Sequence, residues 1–410
     1  MSLATIEEAV AAVMAVAPAP TAESAPAERA MGRTLAADLQ ARADHPGADV
    51  SAMDGYACRA ADTAGATSRR PKRLKVVGEA AAGALATGTL RSGEAVTIST
   101  GAPLPQGSDA IAVLEDTRRD GEDVVLSRPA TPKHIRRKGE DLLRGQAYLL
   151  AGEELDPFRL AAVAALGHAE LEVVRRPRVA VLVTGPELVP PNAPTRSNPL
   201  FDSNGPLLLA LLRRFGAEPS VRSGVGDREE EMEAAWTAAS DADLIVTTGG
   251  ASIGRHDAVR RVLEAEGRLV FGGVSVRPGG PAMLAAWRDK MVLALPGNPV
   301  AAALLATVLL SAWCHAALGR RGRPPFLRDY GAVATTPVGG IREKTCLWLA
   351  NAATDEQGRV AASVVRPQGP ARIEALLRAN AVIVMPPGQG VAAGAAVRLV
   401  ALPVTGSRGL

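Results

Sequence analysis

The residues best suited to chemistry lie in a glycine-rich stretch at positions 243–257, DLIVTTGGASIGRHD. An apolar run at residues 244–246 predicts a buried strand, and a helical pattern begins at Asp257 after the glycines. A glycine-rich turn between a strand and a helix presents backbone N–H groups to an anion at the carboxyl edge of a sheet. The spacing is neither that of GxGxxG nor that of a P-loop, so an anion site here is of another kind. The alternative is a tight turn that only reverses the chain.

A second candidate is the Asn298-Pro299 pair. Asn as N-cap and Pro at the first helical position predict a helix start, and that role alone accounts for the pair. The N-terminus of this helix would also point its dipole at the edge that holds Gly249 and Gly250. A phosphate-bearing ligand fits that geometry.

Three carboxylates fall in the loops around this edge: Glu187, Asp227 and Asp257. They would repel a phosphate unless a cation such as Mg²⁺ bridges the two. Asp257 is equally well explained as a helix N-cap. The residues therefore indicate a phosphate-bearing ligand with a divalent cation, and they do not name the substrate.

Two further charged loops precede this region. Residues 44–57 hold three carboxylates within eleven positions, and residues 135–141 hold three cations beside two carboxylates. The second cluster is either a solvated turn or a basic pocket for an anionic ligand.

Several function classes are disfavoured. Lys and Arg exceed Asp and Glu by only 46 − 43 = +3 and aromatic residues make up 3% of the chain, so neither nucleic-acid nor membrane binding is expected. The three cysteines form no CxxC pair, which argues against a structural zinc site and is typical of a reducing, cytoplasmic compartment. No Ser/His/Asp or Cys/His arrangement suggests covalent catalysis.

The elements that must position these residues alternate between strand and helix from residue 175 to 320. Strands are predicted at 179–183, 244–246 and 291–295, and helices at 228–239, 257–266 and 299–318. A further helix is predicted to run through residue 212, with the DSNG run at 202–205 as its cap. Such alternation predicts a parallel sheet covered on both faces. The loops at 184–188, 247–257 and 296–299 would then meet at one edge, where ligands of such folds bind.

The rest of the chain divides into segments of different predicted secondary structure. Helices are predicted at residues 6–16, 27–39 and 157–166, and a small β module between 74 and 126. Residues 328–410 predict a separate barrel or sandwich. The apolar stretch 300–318 is nearly long enough to span a bilayer, but we interpret it as a buried core helix.

Together, five motifs resemble those of the molybdopterin molybdenumtransferase family, which includes MoeA and the E domain of gephyrin. They are SAMDGYA at 51–57, TGAP at 100–103, RRKGED at 136–141, TGGASIG at 248–254 and LPGNP at 295–299. They span nearly the whole chain in the family's order, and as a set they are highly specific.

The resemblance implies a multi-domain α/β plus β fold. Its parts would be an elongated domain with N-terminal helices (residues 1–43 and 133–174), an inserted β domain (44–132), a three-layer α/β pterin-binding domain (175–320) and a C-terminal β-barrel (328–410). It also implies a homodimer in which each site lies between the α/β domain of one subunit and the β-domain motifs of the other. A molybdopterin adenylyltransferase is the implied upstream partner.

The implied reaction inserts molybdate into adenylylated molybdopterin with release of AMP, using Mg²⁺. Asp54 and Thr100 would line the partner side of the cleft, Arg137 and Asp141 would lie in the same cleft, and Ser252 would help to cradle the pterin phosphate. Catalytic roles are implied for Asp54, Asp141, Glu187 and Asp257, and metal binding for Glu187, Asp227 and Asp257. Substrate binding is implied for Thr100, Arg137, Thr248, Gly249, Gly250, Ser252, Arg277, Pro296, Gly297, Asn298 and Pro299.

The chain departs from the family pattern at several positions. Pro186 stands where an Asp is usual, Ala258 where a Tyr is usual, and Arg277-Pro-Gly-Gly-Pro281 where a Lys-Pro-Gly-Lys-Pro segment is usual. Gly280 therefore removes a cation, and Arg277 keeps the charge without the geometry of lysine. One alternative is thus a diverged paralogue that binds the pterin or the finished cofactor without efficient metal insertion. A nucleotide-hydrolysing enzyme on the same α/β fold is disfavoured by SAMDGYA and the four-domain layout.

Overall fold

The computed structural model describes residues 3–81, 83, 88–185, 187–189, 200–249, 258–327 and 330–404. The described residues contain three six-stranded sheets, which occupy the insert, the α/β region and the C-terminal region in chain order. Gly250, Ser252, Asp257 and Pro186, which the sequence singled out, lie outside the described residues.

The N-terminal region holds fewer helices than predicted. The helix Ile6–Ala15 forms behind a Thr5 capping box, as expected, and its buried residues share one core with Trp313. The helix predicted at 27–39 is wrong, because only the 3₁₀ turn Ala27–Arg29 forms there. The strand Ala22–Pro26 pairs with Glu170–Val174, and bridges from Thr34 to Glu154 and from Leu35 to Val173 hold the next segment extended. These long-range pairings override local helix propensity. A second short pair joins Leu39–Gln40 to Ala147–Leu149.

The insert folds as the predicted β module. Its sheet runs in the order Ala110–Val113, Gly55–Cys58, Glu94–Ile98, Lys72–Ala80, Asp123–Leu126, Thr117–Asp120. Beside it lie the helix Ala60–Thr63 and the strand pair Val50–Ser51 with Ile135–Arg136. The helix Pro157–Ala165 follows in the chain, and its N-cap Asp156 accepts a hydrogen bond from the Arg159 N–H (2.8 Å), as the sequence predicts.

The α/β region is built on a mixed sheet. Its order is Glu218–Val225, Arg178–Thr184, Leu244–Thr248, Lys290–Leu295, Met283–Trp287, Arg268–Phe271. The first four strands run parallel to one another, Met283–Trp287 runs opposite to them, and Arg268–Phe271 runs in their direction again. The sheet is therefore mixed, where the sequence predicted a parallel one. A tight hairpin between Trp287 and Lys290, with Arg288 at a φ of 52°, reverses the chain where no crossover helix exists.

Helices cover both faces of this sheet. Along the strand Arg178–Thr184, Val179, Val181 and Val183 point to one core cluster while Ala180 and Leu182 point to the other. The first face packs against Asn204–Phe215 and the helix that begins at Pro299, and the second against Glu229–Ala238 and Ala258–Ala265. A strand buried on both faces requires the continuous apolar run that the sequence shows.

The long apolar helix is a core element. It runs as Pro299–Leu305, a π-helical turn Ala306–Leu310 and Ser311–Ala317, and it is long and apolar enough to cross a membrane. However, 94% of its most apolar window is buried inside the protein. The interpretation as a buried core helix is confirmed.

The C-terminal region forms the predicted barrel. Its strands are Tyr330–Ala334, Thr345–Thr354, Val360–Val364, Ala381–Met385 and Ala396–Ala401, and a pairing between Thr345–Thr354 and Ala381–Met385 closes the ring. The short helix Glu374–Arg378 packs beside it. The strand Val276–Arg277 pairs with Thr345 and Cys346, which ties a loop of the α/β region to the barrel.

Candidate active site

Three parallel strands of the central sheet end level with one another. Thr248 lies opposite Val183 in one pairing and opposite Leu295 in the next. The loops after Thr184, Thr248 and Leu295 therefore start side by side at one sheet edge, as the alternation of elements predicted.

Gly249 lies where these loops approach most closely. Its φ is 91°, and a Cβ built there would lie 2.5 Å from Thr184 Oγ1 and 2.8 Å from the Thr184 carbonyl oxygen. On the other side, a Cβ on Gly297 would lie 3.3 Å from Gly249 Cα. Only glycine fits between the two neighbouring strand ends without displacing backbone atoms.

Asn204 cross-links the loops through its side-chain amide. Its Nδ2 donates to Thr248 Oγ1 (2.9 Å) and to the Gly297 carbonyl (2.8 Å), while Thr248 Oγ1 donates to the Pro296 carbonyl (3.1 Å). Thr184 Oγ1 adds a bond to the Thr248 carbonyl (3.2 Å). The Oδ1 atom of Asn204 is buried and has no hydrogen-bond partner among the described residues. A buried amide oxygen without a partner is costly, so this atom is available to a ligand donor.

Sequence reasoning placed Asn204 only in a helix-capping stretch and missed this role. Asn204 is the first residue of the helix Asn204–Phe215, and Asp202 before it accepts from the Gly205 N–H (2.8 Å). The usable signal was the DSNG run at 202–205, because four small or polar residues between predicted elements are more than one cap needs.

We expect Asn204→Ala to lower the free energy of unfolding by about 2 kcal/mol, because it leaves Thr248 Oγ1 and the Gly297 carbonyl without their donor. Urea titration of the first unfolding transition measures this. The matched control is Asn351→Ala, at an exposed position of the barrel strand Thr345–Thr354. Equal effects of the two substitutions would remove Asn204 as the link between the loops.

Two adjoining cavities open at this edge. The first, of about 720 Å³, and the second, of about 420 Å³, share Gly249, Gly297 and Asn298 in their walls. Pro299 and Thr248 line the first cavity, and Pro296 and Arg277 line the second. The structure thus places all the described sheet-edge candidates around these two adjoining cavities.

Glu187 and Asp227 line the first cavity together. Both side chains are exposed. Among the described residues, no three His, Cys, Asp or Glu side chains come together as a metal-binding group. Two carboxylates nevertheless suit Mg²⁺, which binds through one or two carboxylates and completes its shell with water and phosphate oxygens.

Asn298 begins the long apolar helix and also lines the site. It is the N-cap of the helix that starts at Pro299, but its side chain makes no capping hydrogen bond. The predicted helix start, with Asn298 as N-cap and Pro299 at the first helical position, is therefore confirmed, although the Asn298 side chain does not form the cap. Asn298 lines both cavities instead, next to the two loop glycines.

Arg277 and Gly280 lie in the loop that reaches the barrel. Arg277 lines the second cavity and a further cavity of about 240 Å³ with Arg366 and Trp348. A Cβ built on Gly280 would lie 3.5 Å from the Val274 carbonyl oxygen, an ordinary contact. Gly280 is thus not required by sterics, unlike Gly249.

The insert presents a second polar cluster. Both the N–H and the Oγ1 of Thr100 donate to Asp54 Oδ1, at 2.6 and 3.0 Å, and the backbone bond is the main reason that the pKa of Asp54 lies below its ordinary value. The Oδ2 atom of Asp54 has no hydrogen-bond partner among the described residues. Asp54 is thus ionised, and its Oδ2 atom can accept a hydrogen bond from another group.

Arg137 belongs to this side of the molecule as well. Its Nη1 donates to Asp49 Oδ2 (2.6 Å), and the Lys138 N–H donates to Asp49 Oδ1 (2.9 Å). These bonds, the Lys138 bond first, hold the pKa of Asp49 below its usual range. Asp141 is exposed and lies 4.0 Å from His45 Nε2. Neither sheet-edge cavity has Asp54, Thr100, Arg137 or Asp141 in its wall.

The cysteines offer no nucleophile. All three are buried free thiols. Burial raises the pKa of Cys58 to about 12, with a smaller contribution from Asp109, and burial raises that of Cys314 to about 12. Both remain thiols at neutral pH, so the arrangement favours binding and electrostatic stabilisation of an oxyanion over covalent catalysis.

Comparison with known proteins matches almost the whole chain. Residues 4–167 match the MoeA N-terminal region (domain I and II), 180–315 a probable molybdopterin binding domain, and 333–402 the MoeA C-terminal region (domain IV).

Individual relatives agree with this. Molybdopterin molybdenumtransferase of Haemophilus influenzae is 32% identical over 96% of this chain and 98% of its own length. Molybdopterin molybdenumtransferase 2 of Mycobacterium tuberculosis is 37% identical over 78% of this chain and 80% of its own. A crystal structure of a molybdopterin biosynthesis MoeA protein from Pyrococcus horikoshii superposes with a TM-score of 0.82 at 29% identity, covering 98% and 99% of the two chains.

Proposed function

Because this chain belongs to the molybdopterin molybdenumtransferase family, we propose that the two sheet-edge cavities are where it inserts molybdate into adenylylated molybdopterin and releases AMP. The protein is a transferase of molybdenum cofactor biosynthesis. The observation that carries the placement is the junction of three strand ends around Asn204, whose buried Oδ1 has no partner in the part of the chain that the structure describes.

The substrate is held by backbone and amide groups. In this proposal the pterin phosphate lies against the loop that starts at Gly249, and pterin N–H groups donate to Asn204 Oδ1. Oxyanion chemistry needs preorganised donors and cations more than a nucleophile, and a rigid loop junction supplies the donors. Thr248 and Gly297 shape the site by where they lie, because the Asn204 side chain fixes both with hydrogen bonds.

Glu187 and Asp227 would hold Mg²⁺ in the first cavity. When bound, the ion neutralises phosphate charge beside the carboxylates. Without the ion, the two carboxylates would repel phosphate groups from their side of the cavity, so their role is to hold the ion. The role of Asp257 as a third ligand stays a prediction.

The partner side of the site would come from a second copy of the chain. In the proposed homodimer, Asp54 and Thr100 of the partner subunit face the sheet-edge cavities, with Arg137 and Asp141 in the same cleft. The absence of these residues from the walls of both cavities in one chain supports this arrangement. A cytoplasmic location and a molybdopterin adenylyltransferase as supplier of the substrate complete the proposal.

Purified protein incubated with adenylylated molybdopterin, Mg²⁺ and molybdate tests the function. We expect AMP release that depends on molybdate. If AMP is not released at any molybdate concentration, while adenylylated molybdopterin still binds, the insertion reaction is excluded.

We further expect Gly280→Lys to lower the molybdate concentration needed for half-maximal AMP release about five-fold. A Cβ at this position meets only ordinary contacts, and Gly279 and Pro281 on either side line the second cavity. An added cation near an anion gains about 1 kcal/mol under solvent-exposed conditions. The matched control is Gly339→Lys, at an exposed glycine of the C-terminal region with nothing within 4 Å of an added Cβ. If both variants change the molybdate dependence alike, the effect is one of net charge and not of this site.

A further inference from the structure

An arginine-rich cavity lies where the N-terminal region meets the α/β region. Its volume is about 650 Å³, and it shares no lining residue with the two sheet-edge cavities. Its walls come from three parts of the chain, around residues 31–32, 152–159 and 176–216, with Arg320 and Arg321 closing one side.

The lining carries a concentrated positive charge. It contains the arginines 159, 176, 213, 214, 320 and 321 and the carboxylates Glu153, Glu154 and Asp156. Six cations and three anions give 6 − 3 = +3, which equals the formal net charge of the whole 410-residue chain. A charge of this density in a concave site attracts anions.

The three carboxylates already form ion pairs with two of the arginines. Arg159 contacts Asp156, the N-cap of its own helix, and lies 3.7 Å from Glu153. Arg320 lies 3.3 Å from Glu154. This leaves Arg176, Arg213, Arg214 and Arg321, none of which forms an ion pair with another described residue.

A helix terminus explains only part of this excess. Arg213 and Arg214 lie in the last turn of the helix Asn204–Phe215, where cations are favoured. The C-terminal end of a helix carries roughly half a negative charge. That partial charge offsets a fraction of one arginine and leaves the other cations uncompensated.

Two glycines keep the cavity open and its walls fixed. Gly152 and Gly216 have φ values of 85° and 97°, and Cβ atoms there would lie 2.8 Å from Arg321 Cγ and 2.9 Å from Arg320 Nη2. The Arg321 N–H also donates to the Gly152 carbonyl (3.0 Å). Arg321 is thus held at the wall by its backbone, and its exposed guanidinium is free to bind.

We propose that this cavity is a binding site for a small anion that carries two or more phosphate groups. Guanidinium groups bind phosphate oxygens through two parallel hydrogen bonds, and four guanidinium groups around one cavity match a diphosphate better than a single charge. The volume also admits a nucleoside on the diphosphate. Because the site is separate from the sheet-edge cavities, it can be occupied independently of the transferase reaction.

Calorimetric titration with inorganic pyrophosphate, in buffer of matched ionic strength, tests the proposal. We expect Arg213→Gln combined with Arg321→Gln to weaken binding at least about tenfold, since two charge-assisted hydrogen-bonding groups are lost. Arg118→Gln, an exposed arginine of the insert that lines none of these cavities, is the matched control and should keep wild-type affinity. A parallel titration with ADP separates the two sources, since tighter binding of ADP assigns a nucleoside diphosphate and equal or weaker binding assigns an inorganic anion.

Three results would overturn the proposal: no pyrophosphate binding at matched ionic strength, an equal loss in Arg118→Gln, or a loss in Arg277→Gln that the double variant does not show. The last would place the anion in the sheet-edge cavities. Circular dichroism of each variant excludes loss of fold as the cause. None of these results bears on AMP release, so the two proposals fail separately.

Discussion

Gly249→Ala is expected to lower molybdate-dependent AMP release by about 100-fold or more, because misplacing a binding loop by about 1 Å has an effect of that size. The added methyl group would lie 2.5 Å from Thr184 Oγ1 and 2.8 Å from the Thr184 carbonyl oxygen, and a φ of 91° strains any side chain. The loop must therefore move away from the strand end. That movement also breaks the approach of Gly297, so both cavities change shape.

The matched control for this substitution is Gly331→Ala. Gly331 lies in the barrel strand Tyr330–Ala334, and a Cβ there has nothing within 4 Å and no positive φ. We expect wild-type activity and stability from this variant. Wild-type AMP release by Gly249→Ala, at a rate equal to that of Gly331→Ala, would show that the junction of strand ends is not the substrate site.

The sheet-edge half of the site was predictable from the sequence because topology alone brings it together. Once strands and helices alternate, the carboxyl ends of parallel strands meet at one edge, and Thr184, Thr248 and Leu295 do so. The link between the loops was not predictable in this way. Asn204 comes from a helix start, and its bonds to Thr248 and Gly297 span 44 and 93 residues of sequence, which no local pattern encodes.

The two errors of fold have different physical origins. Residues 27–39 suit a helix locally, but the neighbouring strand Ala22–Pro26 pairs with residues 170–174 almost 150 positions away. In the second case, Met283–Trp287 runs opposite to the parallel strands because a tight hairpin joins it to Lys290–Leu295. Distant pairing decides the first case and a tight hairpin decides the second, and the periodicity of a single sequence reports neither.

The part of the candidate site in the insert could be predicted only from sequence motifs. The Asp54–Thr100 contact joins SAMDGYA to TGAP, and its two hydrogen bonds give both motifs a structural reason. Their resemblance to the family, and not composition or periodicity, assigned them to a site. That Asp54 reaches the substrate of a second subunit remains a prediction.

Asp54→Asn is expected to lower AMP release by about 100-fold or more without unfolding the protein, a size typical of a lost charged group at a reacting centre. Asparagine can still accept both hydrogen bonds from Thr100, so the local structure persists while the charge is lost. The lowered pKa keeps the Asp54 carboxylate ionised at every pH above its ordinary value of 3.8. Any loss of wild-type activity between pH 7 and pH 5 must therefore come from the titration of groups other than Asp54.

Mixed dimers test where Asp54 acts. Asp227 lines the sheet-edge cavity of its own chain, so Asp227→Asn should also be inactive alone. If each site joins the α/β region of one subunit to Asp54 of the other, a mixed dimer of the two variants has one intact site and one doubly altered site. Random pairing of equal amounts then restores about a quarter of the wild-type sites.

The opposite geometry predicts a different result. If Asp54 and Asp227 of one chain serve the same site, every site in the mixture carries one substitution, and activity stays at the level of the separate variants. Co-expression with two affinity tags, followed by sequential purification, isolates the mixed dimer and raises the expected recovery to about half of the sites. Since neither sheet-edge cavity contains Asp54 in its wall, we expect recovery, and its absence would return both halves of the site to one subunit.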